Sequence, residues 1–450
     1  MFRVPIMLAW FAIVVLVTLR RPFFGAVVIL VHFVLRDFLI DFTYGWFYYN
    51  TNFELLYIAT MLGVLITRAD RLHEFMPRSQ LDWGMVGFLL ALVASALVNG
   101  VAVFNHKYID LYFKALVLYF LLSRLADTPK RVTIVALAIA LATSYLVYVA
   151  WDKNRAGLLR IARPYWFTSF HEFGLQIVMT LPLVGALVLA RFKQIYRVGF
   201  FVLIPMYVLV SIRCWSRSAM VGAMFGVAML AWYYRRHWYL GIAAAPFVVL
   251  AITHQRGHTA QRFESIWTHK TVVGTQDTSI QMRLEQIKTA MNIVSANPVL
   301  GVGPRQFFIQ YEYYARPEDR LGGTYTMHSV PLLILCEEGL VGFAIYYGLI
   351  VFGAIRGARF AAKQTRDAPE LHTTSVIGAG ALMGFLGYVA YSLTQPTMWT
   401  INIYGTVALV EAARRVVVAH FQTEVELDPS AVVARPAWDP RRPATEVVFP

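Results

Sequence analysis

One histidine and a scatter of arginines supply most of the chemistry available to this otherwise apolar sequence. His328 is followed by Ser329 and then by an apolar run from Val330 to Ile355, so it stands at the foot of a membrane segment. Arg213 and Arg217 are four residues apart, the spacing that places two side chains on one helix face. Arg283 lies in the first turns of a short helical stretch. Arg163 shares the segment 151–171 with Lys153, Arg155 and Arg160, against a single acid, Asp152. A guanidinium is permanently charged and forks onto phosphate oxygens. An imidazole titrates near neutrality and accepts a proton there. Arginines grouped with a histidine therefore suit a diphosphate, and the helix beginning near His328, with Pro331 in its first turn, adds its positive dipole end. The same arginines also suit lipid head groups, to which arginine at a helix end commonly snorkels.

The elements that must hold these residues are membrane helices. A chain of 450 residues that is 58% hydrophobic and 15% charged has too much apolar surface to hide from water. Apolar segments recur near 5–19, 23–40, 53–67, 83–104, 108–123, 132–150, 173–190, 198–212, 219–234, 239–253, 330–354, 375–393 and 401–419. The expected fold is an all-α polytopic membrane protein with about 12–13 transmembrane helices. Arg20-Arg21-Pro22 separates two N-terminal segments that fit either one hairpin or two crossings, and no cleavable signal pattern precedes them. Between two apolar blocks lies a long polar loop, 254–327. Within it Thr278-x-x-Gln281 fits a capping box, and Leu284, Ile287, Met291 and Val294 follow at helical spacing. Asn297-Pro298 stops that helix and the turn Gly301-Val302-Gly303-Pro304 follows, so the loop is folded.

Lys and Arg cluster at Arg68/Arg71/Arg78, Arg124/Lys130/Arg131, Arg191/Lys193/Arg197, Arg235/Arg236 and Arg356/Arg359/Lys363/Arg366, which places those loops in the cytoplasm. Alternation then puts 254–327 outside. The domain plan is a transmembrane bundle over 1–253, the external loop 254–327, C-terminal transmembrane helices over 328–419 and a proline-bearing, disordered cytoplasmic tail over 420–450. The net charge of +14 follows from this topology and asks for no nucleic acid. Cys214 and Cys336 read as packing. His254-x-x-x-His258 has metal-ligand spacing, but Gly257 lies between the two and no glutamate accompanies them, so no metal is expected.

His328-Ser329, nine residues, Gly339, two residues and Gly342 resemble the His-Ser/Asn-x9-Gly-x2-Gly signature of the O-antigen ligase and polymerase superfamily. Trp215-Ser216-Arg217-Ser218-Ala219 looks like that family's Ser-Arg-Gly-Ala turn, with Ser218 where glycine is common. Arg283, a helix and then Asn297-Pro298-Val299-Leu300-Gly301-Val302-Gly303 look like its loop arginine and Pro-x-x-Gly-x-Gly turn. The match covers 200–345. Arg20-Arg21-Pro22 and the Trp46 region are similar to a subgroup of O-glycosylation ligases associated with exosortase systems. Two departures stand out: Ile287 where leucine is often seen, and His171-Glu172 where many relatives have asparagine.

The resemblance implies a multi-spanning, C-type-like glycosyltransferase of the bacterial inner membrane that faces the periplasm and needs neither metal nor cofactor. Its donor would be a glycan on undecaprenyl diphosphate. Its acceptor hydroxyl would lie on lipid A core, on a growing glycan or on a protein. His328 would be the general base, Arg217 and Arg283 would neutralise the diphosphate leaving group, and Arg213 and Arg163 would add to that site. Ser216, Ser329, Gly303, Glu338, Gly339 and Gly342 would be motif or structural positions. The other class that fits is a transporter or flippase of a lipid-linked anion. Transporters carry ionisable groups at mid-membrane, and the clear cases here are few: Lys114, Glu337 and Glu338. A purely structural scaffold is the third class.

Overall fold

The computed structural model describes residues 3–42, 51–103, 106–154, 170–213, 217–233, 278–316, 327–365, 368–395, 397–398 and 400–427. Among them the regular structure is entirely helical, as the apolar segments require in a bilayer, where backbone groups must be satisfied within the chain. The helices are α1 (Arg3–Arg20), α2 (Pro22–Phe42), α3 (Thr51–Thr67), α4 (Gln80–Val98), α5 (Lys107–Leu125), α6 (Pro129–Asn154), α7 (Phe170–Leu189), α8 (Gln194–Arg213) and α9 (Arg217–Tyr233). They continue as α10 (Thr278–Ala296), α11 (Phe307–Tyr314), α12 (Val330–Glu337), α13 (Gly339–Gln364), α14 (His372–Ser392) and α15 (Ile401–Leu427). Every apolar segment read from the sequence is helical where it is described, 330–354 as two helices; 239–253 lies outside the described residues. Six helices, α4, α6, α7, α8, α13 and α14, are long and apolar enough to cross a membrane, and α1, α2, α3 and α9 carry shorter apolar stretches.

α14 is the central post. It packs on α7, α9 and α15, and α7 in turn carries α8. Close approach depends on small residues, as is usual where lipid removes the hydrophobic drive between helices. A Cβ at Gly384 would strike the Met179 carbonyl, and Gly222 and Gly387 sit so close that a Cβ on either would lie 2.8 Å from the other's carbonyl oxygen. The buried rings Phe88, Tyr112, Tyr346, Tyr388 and Tyr404 join α4, α5, α13, α14 and α15, with centroids 5.1 Å apart for Phe88 and Tyr112. Lys114, at mid-helix in α5, is held by Glu54 of α3 at 3.0 Å and by Asp110 of α5 at 2.8 Å, so its charge joins α5 to α3.

A buried charged knot fastens α4, α5 and α15. Ser79 and Asp82 form a capping box at the start of α4. The Asp82 carboxylate also accepts from Tyr119 at 2.7 Å and Arg124 at 2.6 Å, and Arg414 donates to Glu411 at 2.7 and 2.9 Å beside them. Arg124, counted in the sequence as a topological charge, is fully buried in this knot. Removing one partner leaves the other charge uncompensated. Asp82→Ala is therefore expected to cost about 3–5 kcal/mol, read as a lowered thermal midpoint in detergent, with Asp82→Asn falling in between.

Two features depart from the sequence reading. Val330 to Ile355 does not form one helix, because Gly339 takes a φ of +67° and separates α12 from α13. The last helix runs to Leu427, beyond residue 420, because 401–427 continues without a breaker and His420 Nε2 meets a Glu370 carboxylate oxygen at 3.1 Å.

Candidate functional site

The break at Gly339 is the joint on which the polar loop is mounted. A helix that stops inside a protein strands its last carbonyls, and one that restarts strands its first amides. Here the turn 298–303 answers both. The amides of Val302 and Gly303 donate to the carbonyls of Cys336 at 2.8 Å and Glu337 at 3.0 Å. In return the amides of Leu340 and Val341 donate to Pro298 at 2.8 Å and Val299 at 3.2 Å. The Ser95 hydroxyl, on α4, lies 2.6 Å from the carbonyl oxygens of both Leu300 and Glu337, and Asn99 donates to Gly301 at 3.1 Å. The Glu337 carboxylate accepts from the Phe307 amide at 3.2 Å.

The motif glycines now have physical causes. Gly301 and Gly303 have φ of +65° and +100°, conformations costly to any residue with a Cβ. A Cβ at Gly339 would run into the Val299 carbonyl, and one at Gly342 into the Cβ of Glu338, whose side chain is fully buried. Gly339→Ala adds a steric clash to left-handed strain, and is expected to loosen the joint by about 2–4 kcal/mol. Faster proteolysis of the loop in an otherwise inserted protein would report it.

Behind this joint the loop has its own small core: Ala290, Ile293, Val302, Phe307, Tyr311, Met327, Leu333 and Cys336. Cys336 Sγ reaches the Ala290 carbonyl at 3.6 Å, a packing role as expected. The face by which α10 docks follows its apolar stripe only in part: Val294 packs on the loop core with Ala290 and Ile293. Leu284, Ile287 and Met291 are 53%, 41% and 54% exposed, whereas the polar Gln286 and Thr289 are each only 1% exposed.

Gln286 is buried against His328. Its Oε1 accepts from the His328 backbone amide at 3.3 Å and lies 3.2 Å from Nδ1. A backbone N–H can only meet the oxygen, which fixes the amide's orientation. Nδ1 must then carry the proton, and the Nε2 lone pair becomes the basic site of the ring. Gln286 also follows Arg283 by three positions, on one face of α10. Sequence reading missed Gln286 because a glutamine in a polar loop carries no periodic signal.

Ser329 takes an extended conformation (φ −155°, ψ 118°) at the head of α12, and its carbonyl accepts from Leu333. Arg213 ends α8 and Arg217 begins α9, so the two arginines belong to two helices and do not share one helix face. α8 and α9 both pack on α7. The side chains of Arg213 and Arg217 lie outside the described residues, as do Arg163, Ser216, Cys214, Trp46, His254 and His258. Ser218, standing where glycine is common, accepts hydrogen bonds from Thr394 at 2.7 Å and Gln395 at 3.3 Å, tying α9 to the loop after α14. Two further groups at the joint were not read from the sequence. Arg305 has a φ of +62°, rare for a residue with a side chain, and lies over the Tyr108 ring. His106 packs beside it. Burial pulls its imidazole below the ordinary range and the Arg305 charge adds to this, while a hydrogen bond to the Pro304 carbonyl opposes both.

The class defined by this architecture is an all-α polytopic membrane protein with a folded loop clamped into a broken membrane helix. Residues 200–347 match the family model for O-antigen ligase, so this stretch is similar to the O-antigen ligase/polymerase superfamily. No curated protein is similar enough to count as a match. The matched region spans both Arg217 and Arg283, and it contains the joint and His328.

Proposed function

We propose that this protein transfers a glycan from an undecaprenyl-diphosphate donor to a hydroxyl acceptor on the periplasmic face. The observation that carries the reading is the His328–Gln286 pair, with Arg283 one turn away, inside the stretch similar to O-antigen ligase. The acceptor hydroxyl gives its proton to His328 Nε2 as its oxygen attacks the anomeric carbon. The glycosidic C–O bond to the diphosphate breaks, and that oxygen leaves with the electron pair. The products are the new glycoside, undecaprenyl diphosphate and a protonated His328, which then releases its proton to water. Charge grows most on the leaving diphosphate, so preorganised cations contribute most to the rate. Arg217 and Arg283 fill that role, with Arg213 and Arg163 as further members.

This reading needs no divalent ion, because permanently charged arginines would supply the charge stabilisation that a metal otherwise provides. The test is transfer by purified protein in detergent, supplied with lipid-linked donor and separately with lipid A core, glycan or protein acceptor. The rate is expected to be unchanged in excess chelator, and the acceptor that becomes labelled identifies the branch of the superfamily. A rate lost to chelator and restored by magnesium or manganese would assign the charge stabilisation to other groups. Labelling of none of the acceptors would reject transfer itself.

A further inference from the structure

We propose that a cavity of about 720 Å³ at the opposite end of the bundle holds the phosphate head group of an anionic membrane lipid. It opens between the α1–α2 turn, the end of α3 and the α5–α6 turn, and Arg20, Arg21, Arg68 and Arg131 line it together with Phe23 and Phe24. Asp127 is the carboxylate paired there, accepting from Arg68 at 2.8 Å and from Arg131 at 2.6 Å. The Arg131 guanidinium also lies over the Phe23 ring, 5.2 Å from its centroid. Arg20 and Arg21 have no carboxylate partner among the described residues, and Arg68 keeps Nη1 shielded from solvent without a hydrogen-bond partner. Four permanent cations around one carboxylate repel one another, and a phosphate whose oxygens accept from several guanidinium forks relieves that repulsion.

Free phosphate would satisfy the same forks, but the surroundings favour a lipid. Leu16, Phe24, Ile66 and Ile134 all lie within about a turn of the arginines or of Thr67, which also lines the cavity, and all four are exposed. They form an apolar wall on which acyl chains can lie. The Lys/Arg clusters assign this end to the cytoplasm, where basic pockets between membrane helices take anionic head groups.

The test is native mass spectrometry of the full chain, delipidated in detergent and titrated separately with phosphatidylglycerol, cardiolipin and phosphatidylcholine. The wild type is expected to retain the anionic lipids and not phosphatidylcholine. Each arginine is worth roughly fivefold at an anionic surface, so Arg20→Gln with Arg21→Gln should weaken retention about 25-fold. Arg20→Lys with Arg21→Lys keeps the charge that orients the hairpin, and should weaken retention severalfold through loss of the fork. If the glutamine variant fails to insert, the lysine variant decides the matter. Equal retention by wild type and the deciding variant, equal binding of phosphatidylcholine, or complete displacement by excess inorganic phosphate would each overturn the proposal.

Discussion

Replacement of His328 by alanine is expected to lower glycan transfer by about 10²–10⁴-fold, the range that a positioned general base supplies. Insertion and stability should remain near wild type. The His328 backbone amide still donates to Gln286 in the variant, and the loop core is anchored by Met327 and Leu333, which are untouched. Gln286 gives a second reading of the same assignment. Gln286→Leu removes the acceptor that holds the proton on Nδ1, and is expected to cost about tenfold by scrambling the tautomer, with a shifted pH profile. Gln286→Glu restores an acceptor and should recover much of the rate. Gln286→Leu could lower activity through misfolding alone, but a purely structural glutamine would leave the pH profile in place. Wild-type turnover in His328→Ala would reduce the histidine to a packing residue.

How much of this was legible in the sequence depends on what each signal measures. The helices could be placed because run length and hydropathy are set by bilayer thickness, and the described helices follow the segments closely. The break at Gly339 could not be placed, since an apolar run continues through it and hydropathy carries no information about φ. The signature spacing flagged that glycine without saying why it is needed. The reason is the Val299 carbonyl, supplied by a turn forty residues upstream. α10 shows a different failure. Periodicity found the helix and its apolar stripe, but it cannot tell a stripe facing a protein core from one facing outward. The buried face carries Ala290 and Ile293 in the loop core alongside Gln286, whose Oε1 meets His328. Arg124 was read as a loop charge from its position at a helix end, and its true partner, Asp82, lies on another helix. Local pattern finds elements, whereas long-range pairing decides what they do.

The second large effect is expected at the arginines. Arg217→Lys and Arg283→Lys each keep the charge and lose the planar fork, so a lysine can neutralise a phosphate but cannot grip two oxygens in fixed geometry. If these residues stabilise the diphosphate as it leaves, the interaction strengthens toward the transition state and the loss falls on kcat. Each substitution is expected to lower kcat by about 10–10³-fold, with a smaller change in KM. Arginines that merely snorkel to head groups behave otherwise, since lysine reaches the same interface on a stem of similar length. Arg213→Lys is the internal comparison: it lies on the neighbouring helix end, and a fork contribution there should be smaller than at Arg217. Steady-state transfer rates for the three variants, measured in matched membranes with equal expression, separate these cases. Near-normal kcat in both Arg217→Lys and Arg283→Lys would show that the diphosphate is held by other groups, and Arg305, at the joint with an unusual backbone, would be the next residue to test.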